Sequence, residues 1–365
     1  MKASKILLDV IRDLSEDCDF RYNFEYFDFI KNNNSIYRLF RSLTTQKLRD
    51  MIYSFYSYFS KRRKDDLFFE RGNFSIRHYL DYLSYILISD PVLPFKIFPK
   101  KDHGLIVRFL RNMIVSCFLE RIKCSYFDRD DWLEYSNARS VVANGLSFKG
   151  GYFCFDSFLS KIPGEYPLIS KNWYLDIFGK VNFEIAIDAG AYVEDSSFVF
   201  DRYFKPEKIY AIEPDNNNYK ILRENLVVNK MKNVVPLKLA LYKRNGYLSF
   251  EGNNFLSSTL ANNQRGNLVK VVTIDTLVKR LNLKRLDFIK MDIEGSEFDA
   301  LKGSVGVLRT FKPDLLIAIY HKGSHFFEMP AWLKKNFPYY NFRFVAMNAA
   351  SPVIERYVAV STRKI

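Results

Sequence analysis

Cysteine is scarce. Four occur in 365 residues, at positions 18, 117, 124 and 154, and no two have the C-x-x-C spacing. That excludes the usual zinc and dithiol redox arrangements and predicts reduced thiols in a cytoplasmic protein. Glycine (15) and proline (12) are too few for a collagen-like or low-complexity chain. Long apolar runs are missing too. The most apolar later stretch, Tyr82 to Phe98, is broken by Asp90, Pro91 and Pro94, short of the roughly 18–20 residues a spanning helix needs. Near the N-terminus, Leu7, Leu8, Ile11 and Leu14 recur at helical spacing, but Asp9, Arg12 and Asp13 interrupt them. This is an amphipathic helix rather than a signal peptide, and a soluble protein is expected.

Aromatic side chains are abundant: 34 Phe and 24 Tyr within a 48% hydrophobic composition. A chain that rich in rings folds. The formal net charge is +14 and the pI about 9.4, which points to anionic partners. The excess is nevertheless even. Residues 1–180 carry 28 basic and 22 acidic side chains, and residues 181–365 carry 27 and 19. The densest basic run, Lys61-Arg62-Arg63-Lys64, is followed at once by Asp65-Asp66 and reads as a solvated helix end. With no RNA-binding signature either, a nucleic-acid partner is disfavoured, while peripheral contact with an anionic membrane surface stays open.

The chain changes texture near Gly150. Residues 1–150 read as a mainly helical domain that could serve as a lid or bind an acceptor. A helix capped by Ser35 carries apolar positions from Ile36 to Phe59, and further helices run from Ile76 to Ile88 and from Ile106 to Ile122. Asn32-Asn33-Asn34 and Pro91 to Pro99 read as loops. Residues 151–180 connect. From 181 to 365, strands alternate with helices: strands at Ile185–Ile187, Lys208–Glu213, Val234–Leu241, Tyr247–Phe250, Val269–Ile274, Leu286–Met291, Leu315–Ile319, Phe342–Ala346 and Tyr357–Val360. Helices run to Phe204, over Asn216–Asn229, and to Leu281, Leu308 and Asn336. Asn245-Gly246 predicts a hairpin turn before Tyr247. The alternation predicts an α/β fold with a doubly wound, mostly parallel sheet, and the final pair of strands would make the last one antiparallel.

Three strand ends carry the chemistry. The first ends in Asp188-Ala189-Gly190-Ala191, where a small residue admits a ligand to the backbone and helix N–H groups suit an anion. The second ends in Glu213-Pro214-Asp215, placing a carboxylate to bond both hydroxyls of a ribose. The third runs Ile289-Lys290-Met291-Asp292-Ile293-Glu294-Gly295-Ser296-Glu297 and crowds three carboxylates at a strand end. Helix capping accounts for some of these, Glu297 above all. A metal site from Asp292, Glu294 and Glu297, or a His321–His325 metal pair, is a further option, but no metal is expected. His321, beyond the fifth strand, is a candidate general base.

In order, these segments resemble the FkbM family of S-adenosylmethionine-dependent methyltransferases over roughly residues 183–360. The run from Ile289 to Glu297 is similar to the family's I-K-x-D-x-E-G-x-E, and Leu301-Lys302-Gly303, Thr273 to Leu277 and Tyr320-His321-Lys322 match further elements. The resemblance implies a Rossmann-like class I methyltransferase domain. It implies S-adenosylmethionine as cofactor and a hydroxyl of a sugar, glycolipid or natural product as acceptor. By the same resemblance, Asp188, Gly190 and Ala191 lie by the methionine part of the cofactor, Glu213 holds its ribose, and Asp292 faces the sulfonium and the acceptor. One position departs: Glu194 stands where the family's motif has its second glycine. That keeps a non-catalytic binding or scaffold protein on the same fold as an alternative, alongside a nucleic-acid methyltransferase.

Overall fold

The computed structural model describes residues 68–70, 81–82, 85, 93–116, 121–123, 147–149, 152–155, 158–160, 177–178, 183–193, 195–251, 259–261, 267–346 and 356–365. The chain forms two compact units. One comprises Met1–Trp132, Lys322–Ala331 and Ser351–Ile354; the other comprises Leu133–His321, Trp332–Ala350 and Glu355–Ile365. The helices expected before residue 60, the Asn32–Asn34 loop, the basic run at 61–64, Cys117, Cys124 and Glu194 lie outside the described residues.

In the first unit, β1 (Phe68–Glu70), α1 (Leu93–Ile97) and α2 (His103–Ser116) precede β2 (Arg121–Lys123), which pairs antiparallel with β1. Two expectations are corrected. The stretch Pro91–Pro99 contains a helix, because Pro94 falls in the first turn of α1, where a missing N–H goes unnoticed. The helix expected to reach Ile122 stops at Ser116, and Arg121–Lys123 is extended because β1 supplies its hydrogen bonds. Ile106, Phe109, Leu110 and Met113 follow helical spacing and are all buried. The Phe109 ring meets Tyr82 edge-on at 5.6 Å and Phe326 at 5.2 Å.

The second unit opens with an antiparallel meander of β3 (Ser147–Lys149), β4 (Tyr152–Phe155) and β5 (Phe158–Ser160). Then follow β6 (Ile185–Ala189), α3 (Asp195–Val199, extended by a π turn to Phe204), β7 (Lys208–Ile212), α4 (Asn216–Val228), β8 (Val234–Leu237), β9 (Ala240–Leu241), β10 (Gly246–Glu251), β11 (Thr259–Ala261), β12 (Asn267–Val272), α5 (Ile274–Arg280), β13 (Phe288–Met291), α6 (Glu297–Lys302), α7 (Val305–Thr310) and β14 (Asp314–Ala318). The chain then passes through α8 (Gly323–Phe327, in the first unit) and α9 (Met329–Asn336). It ends in β15 (Asn341–Ala346) and β16 (Arg356–Ser361).

The main sheet has the order β15-β16-β14-β13-β6-β7-β8. Its pairs are parallel except those made by β16, the antiparallel last strand. Strands β13, β14 and β16 are buried along their whole length, as strands covered on both faces must be. Phe288 anchors this core, with Phe178, Phe183 and Phe200 packed around its ring at 5.0–5.5 Å. The chain runs outward from β6 to β8, then returns to the other side of β6 as β13. Strand order therefore reverses beside β6, and ligands of open α/β sheets bind at such a point.

Three local expectations differ. The strand expected over Val234–Leu241 breaks after Leu237, and β9 joins a second sheet of order β11-β10-β12-β9. Asn245-Gly246 does not fold β10 back on the strand before it. Instead β10 pairs with β11 and β12, and the Asn245 side chain bonds Thr273 N and Thr276 Oγ1 at the start of α5. The helix expected to reach Leu308 is two helices. Gly303 separates them, and a Cβ there would lie 2.4 Å from the Tyr242 carbonyl oxygen. The Asp275 carboxylate then accepts from Gly306 N and Val307 N to start α7. Among the described residues, no helix is long and apolar enough to cross a membrane.

Candidate active site

The carboxyl ends of β6, β7 and β13, three neighbouring parallel strands, bring Asp188, Glu213 and Asp292 to one edge of the sheet. Asp188 is fully buried. Its Oδ2 accepts from Ser196 Oγ at 2.7 Å and Ser197 Oγ at 2.6 Å, and its Oδ1 faces Lys290 Nζ at 3.3 Å. Lys290 also donates to the Gly190 carbonyl at 2.9 Å. A buried carboxylate needs such partners, and here they fasten the loop after β6 to the start of α3 and to β13. Asp188 thus holds the loop that carries Gly190.

Gly190 has φ +76°, and a Cβ on it would lie 1.7 Å from the Asp292 carbonyl oxygen. The glycine is required because the loops after β6 and β13 cross in contact. The amides of Gly190 and Ala191 both donate to the Ile212 carbonyl at 3.0 Å. They close the β6–β7 edge and are not directed at an anion. Ala191 is fully buried.

Glu213 is 6% exposed. Its Oε1 accepts from Asp215 N at 2.8 Å and its Oε2 from Tyr192 N at 3.1 Å. Burial raises its pKa to about 8, helped by the nearby Asp215 charge, although both amide hydrogen bonds oppose the shift. Tyr192 takes a left-handed φ of 48° to deliver its amide.

Asp292 follows β13 and is held by two phenols. Tyr357 donates to its Oδ2 at 2.5 Å, and Tyr320 reaches both oxygens at 3.1 and 3.2 Å. His321 stands beside it, its side chain 5% exposed. Its Nδ1 is 2.8 Å from Glu297 Oε1, out of line for a hydrogen bond, and its Nε2 is 3.4 Å from Glu294 Oε2 and 3.6 Å from Asp292 Oδ1. Burial works to lower the imidazole pKa, but Glu297 and Glu294 outweigh it and hold the pKa well above 6.5. Glu297 is buried and accepts from Ile293 N and Gly295 N, so it also closes the turn before α6. Beyond Asp292 the chain is no longer extended, because Glu294 (φ 53°) and Gly295 (φ 93°) turn the backbone. Among the described residues, donor atoms of Asp292, Glu297 and His321 lie within 4.8 Å of one another; His325 is not in that group.

The structure brings the candidates Asp188, Gly190, Ala191, Glu213, Asp292 and His321 to one edge of the sheet; Ser196, Ser197 and Tyr357, which contact them, were not among the candidates. The serines open α3 close after the glycine turn, which is a usable signal. Tyr357 carried none beyond its place at the start of a strand.

Residues 188–344 match the methyltransferase FkbM domain. The chain contains an FkbM methyltransferase domain. Curated relatives of this domain include Methyltransferase sdnD from Sordaria araneosa, 27% identical over a match covering 40% of this chain and 70% of that protein. Hexuronic acid methyltransferase AglP from Haloferax volcanii is 28% identical over 28% of this chain and 43% of its own. Among solved structures, an FkbM methyltransferase from Methylobacillus flagellatus superimposes with a TM-score of 0.52. It is 18% identical and the match covers 80% of this chain and 63% of that one, a likeness of fold. The chain therefore spans well under two thirds of AglP and slightly under two thirds of that solved structure. The cofactor of FkbM methyltransferases is S-adenosylmethionine, and Glu213 fits it. An ionised carboxylate has about four acceptor positions. Two are used by amides and a third by the Asn218 side chain, which leaves acceptor capacity for a ribose hydroxyl.

Proposed function

We propose that the FkbM domain transfers the methyl group of S-adenosylmethionine to a hydroxyl oxygen of a sugar, glycolipid or natural-product acceptor. The observation that carries this reading is the placement of Gly190, Glu213 and Asp292 at the ends of three adjacent parallel strands, where the strand order reverses. The relatives are consistent with it: one is named for a hexuronic acid, an acceptor rich in hydroxyls.

Bound S-adenosylmethionine supplies a methyl group on a positively charged sulfur, so the leaving group is already activated. The work left to this chain is positioning. Glu213 would accept from a ribose hydroxyl of the bound cofactor. Asp188, Lys290, Ser196 and Ser197 hold the loop of Gly190 and Ala191, which would lie beside the methionine end. Asp292 is a partly accessible carboxylate held by two phenols, its side chain 19% exposed between the buried Glu297 and the more open Glu294 at 37%. It takes the proton of the acceptor hydroxyl as the oxygen attacks. Tyr320 and Tyr357 fix its orientation, and His321 bears on it from the buried side.

Calorimetry with S-adenosylmethionine and its demethylated product tests the first half of this reading. Micromolar binding is expected, and no binding at millimolar cofactor would leave a non-catalytic protein on a methyltransferase fold. Transfer of labelled methyl to hexuronic acid glycosides, against their 2-, 3- and 4-deoxy analogues, tests the second half. Activity on amines or nucleic acid alone would refute the hydroxyl acceptor.

A further inference from the structure

We infer that Asp292, Glu297 and His321 form a binding site for one divalent cation. The ends of β13 and β14 lie side by side in parallel register, so Asp292 and His321 emerge from the same edge. The turn after Asp292 is sharp: Glu294 has φ 53° and Gly295 φ 93°. A non-glycine residue in that region is strained, and such strain gathers at functional sites. Here it turns the Glu294 carboxylate back to within 3.4 Å of the same imidazole. Three carboxylates thus converge on one ring.

The imidazole is the independent observation. Its side chain is 5% exposed, and neither ring nitrogen makes an aligned hydrogen bond. A structural histidine in a core points an N–H at a carbonyl or carboxylate; this one faces three carboxylates without lining up on any. One donor atom from each of Asp292, Glu297 and His321 lies within 4.8 Å of the other two, and the His321 Nε2 to Asp292 Oδ1 separation is 3.6 Å. With metal–ligand bonds of about 2.0–2.2 Å, adjacent donors sit about 3.0–3.5 Å apart. The surroundings also fit. Ligating carboxylates are usually held by outer hydrogen bonds, and Asp292 receives them from Tyr320 and Tyr357. Glu297 receives them from Ile293 N and Gly295 N.

A donor set of carboxylate oxygens with one imidazole takes Mn²⁺, Fe²⁺ or Zn²⁺ in preference to the soft cations that need thiolates. At the rim of the sheet, next to the Asp292 oxygens, such an ion would hold an oxygen ligand of the acceptor. The site goes beyond methyl transfer and does not depend on it, because binding is measured with no cofactor present.

The test uses the full chain after dialysis against a chelator, titrated with Mn²⁺ and followed by the loss of the free-ion paramagnetic resonance signal. One Mn²⁺ per chain is expected to bind saturably, with Asp292→Asn and His321→Gln each weakening it at least tenfold. Glu207→Gln, at an exposed carboxylate away from the cluster, should bind as wild type. No saturable binding up to millimolar Mn²⁺, or wild-type affinity in both cluster variants, would overturn the site. Should the variants not fold, anomalous diffraction from wild-type crystals soaked in Mn²⁺ decides the matter. A peak within bonding distance of a His321 nitrogen supports the site, and a peak elsewhere or none refutes it. Failure here leaves cofactor binding untouched, and failure of cofactor binding leaves this result standing.

Discussion

Glu213→Gln should abolish the pH dependence that Glu213 gives to cofactor binding. The Glu213 carboxyl is buried and has its pKa raised to about 8. At pH 7 it is then ionised in roughly one molecule in ten, and at pH 9 in roughly nine in ten. Its two amide partners use one acceptor position on each oxygen, and the Asn218 side chain uses a third. A ribose hydroxyl needs the position that is left, and protonation fills it. The cofactor therefore selects the ionised form, and apparent affinity scales with its fraction. Affinity should tighten about tenfold from pH 7 to pH 9, with close to one proton released per ligand at pH 7. Calorimetry with S-adenosylhomocysteine in buffers of different ionisation enthalpy measures both quantities. The ligand's own amine titrates equally against wild type and Glu213→Gln, so the difference between the two slopes isolates residue 213. Stability moves the other way. The folded chain keeps a proton that the unfolded chain sheds above pH 4.5. Wild-type stability should thus fall as pH rises from about 4.5 through about 8, by up to roughly 1.4 kcal/mol per unit. Glu213→Gln should flatten that fall. Equal slopes in the two proteins, for binding and for melting, would refute the assigned burial and role of Glu213.

Other substitutions probe the neighbouring contacts. Gly190→Ala must move the Asp292 carbonyl from a Cβ that would sit 1.7 Å away, in a left-handed conformation that itself costs about 1–2 kcal/mol; thermal melting should show at least that loss, with cofactor binding lost as well. Lys290→Met leaves the Asp188 carboxylate buried without its cation and should cost about 3–5 kcal/mol; denaturant melts of the double variant Asp188→Asn, Lys290→Met should recover part of it, and no recovery would mean that the two do not act as a pair. Tyr357→Phe removes one hydrogen bond to the Asp292 carboxylate, about 1.5–3 kcal/mol for a charged group; kcat should drop roughly tenfold or more while cofactor Kd stays within about twofold, and an unchanged kcat would show that the phenol does not position Asp292.

Much of this architecture is legible in the sequence because parallel strands covered on both faces are continuous apolar runs. Ile185–Ile187 in β6, Phe288-Ile289 in β13 and Leu315–Ala318 in β14 are of this kind, and they stand out between amphipathic helices. The site carboxylates are legible for a related reason. A charged group at the end of such a run is unlike everything before it, and Asp188, Glu213 and Asp292 all stand there. What the sequence conceals is register. Lys290 sits directly across from Asp188 in the β13–β6 ladder, and Tyr357 across from Ala318 in the β16–β14 ladder. Those pairings span 102 and 39 positions, and no local pattern announces them. Yet the first has a physical cause that can be argued in reverse. A slip of one residue in β13 against β6 would set Lys290 opposite Ile187 or Ala189 and turn its ammonium to the other face of the sheet. Asp188 would then be left buried with two hydroxyls and no cation, a loss of several kcal/mol. The ion pair that holds the Gly190 loop in place therefore also fixes which of the alternative pairings of two apolar strands is adopted. The position of Asp292 relative to Gly190, and with it the edge on which the cofactor would sit, follows from that choice.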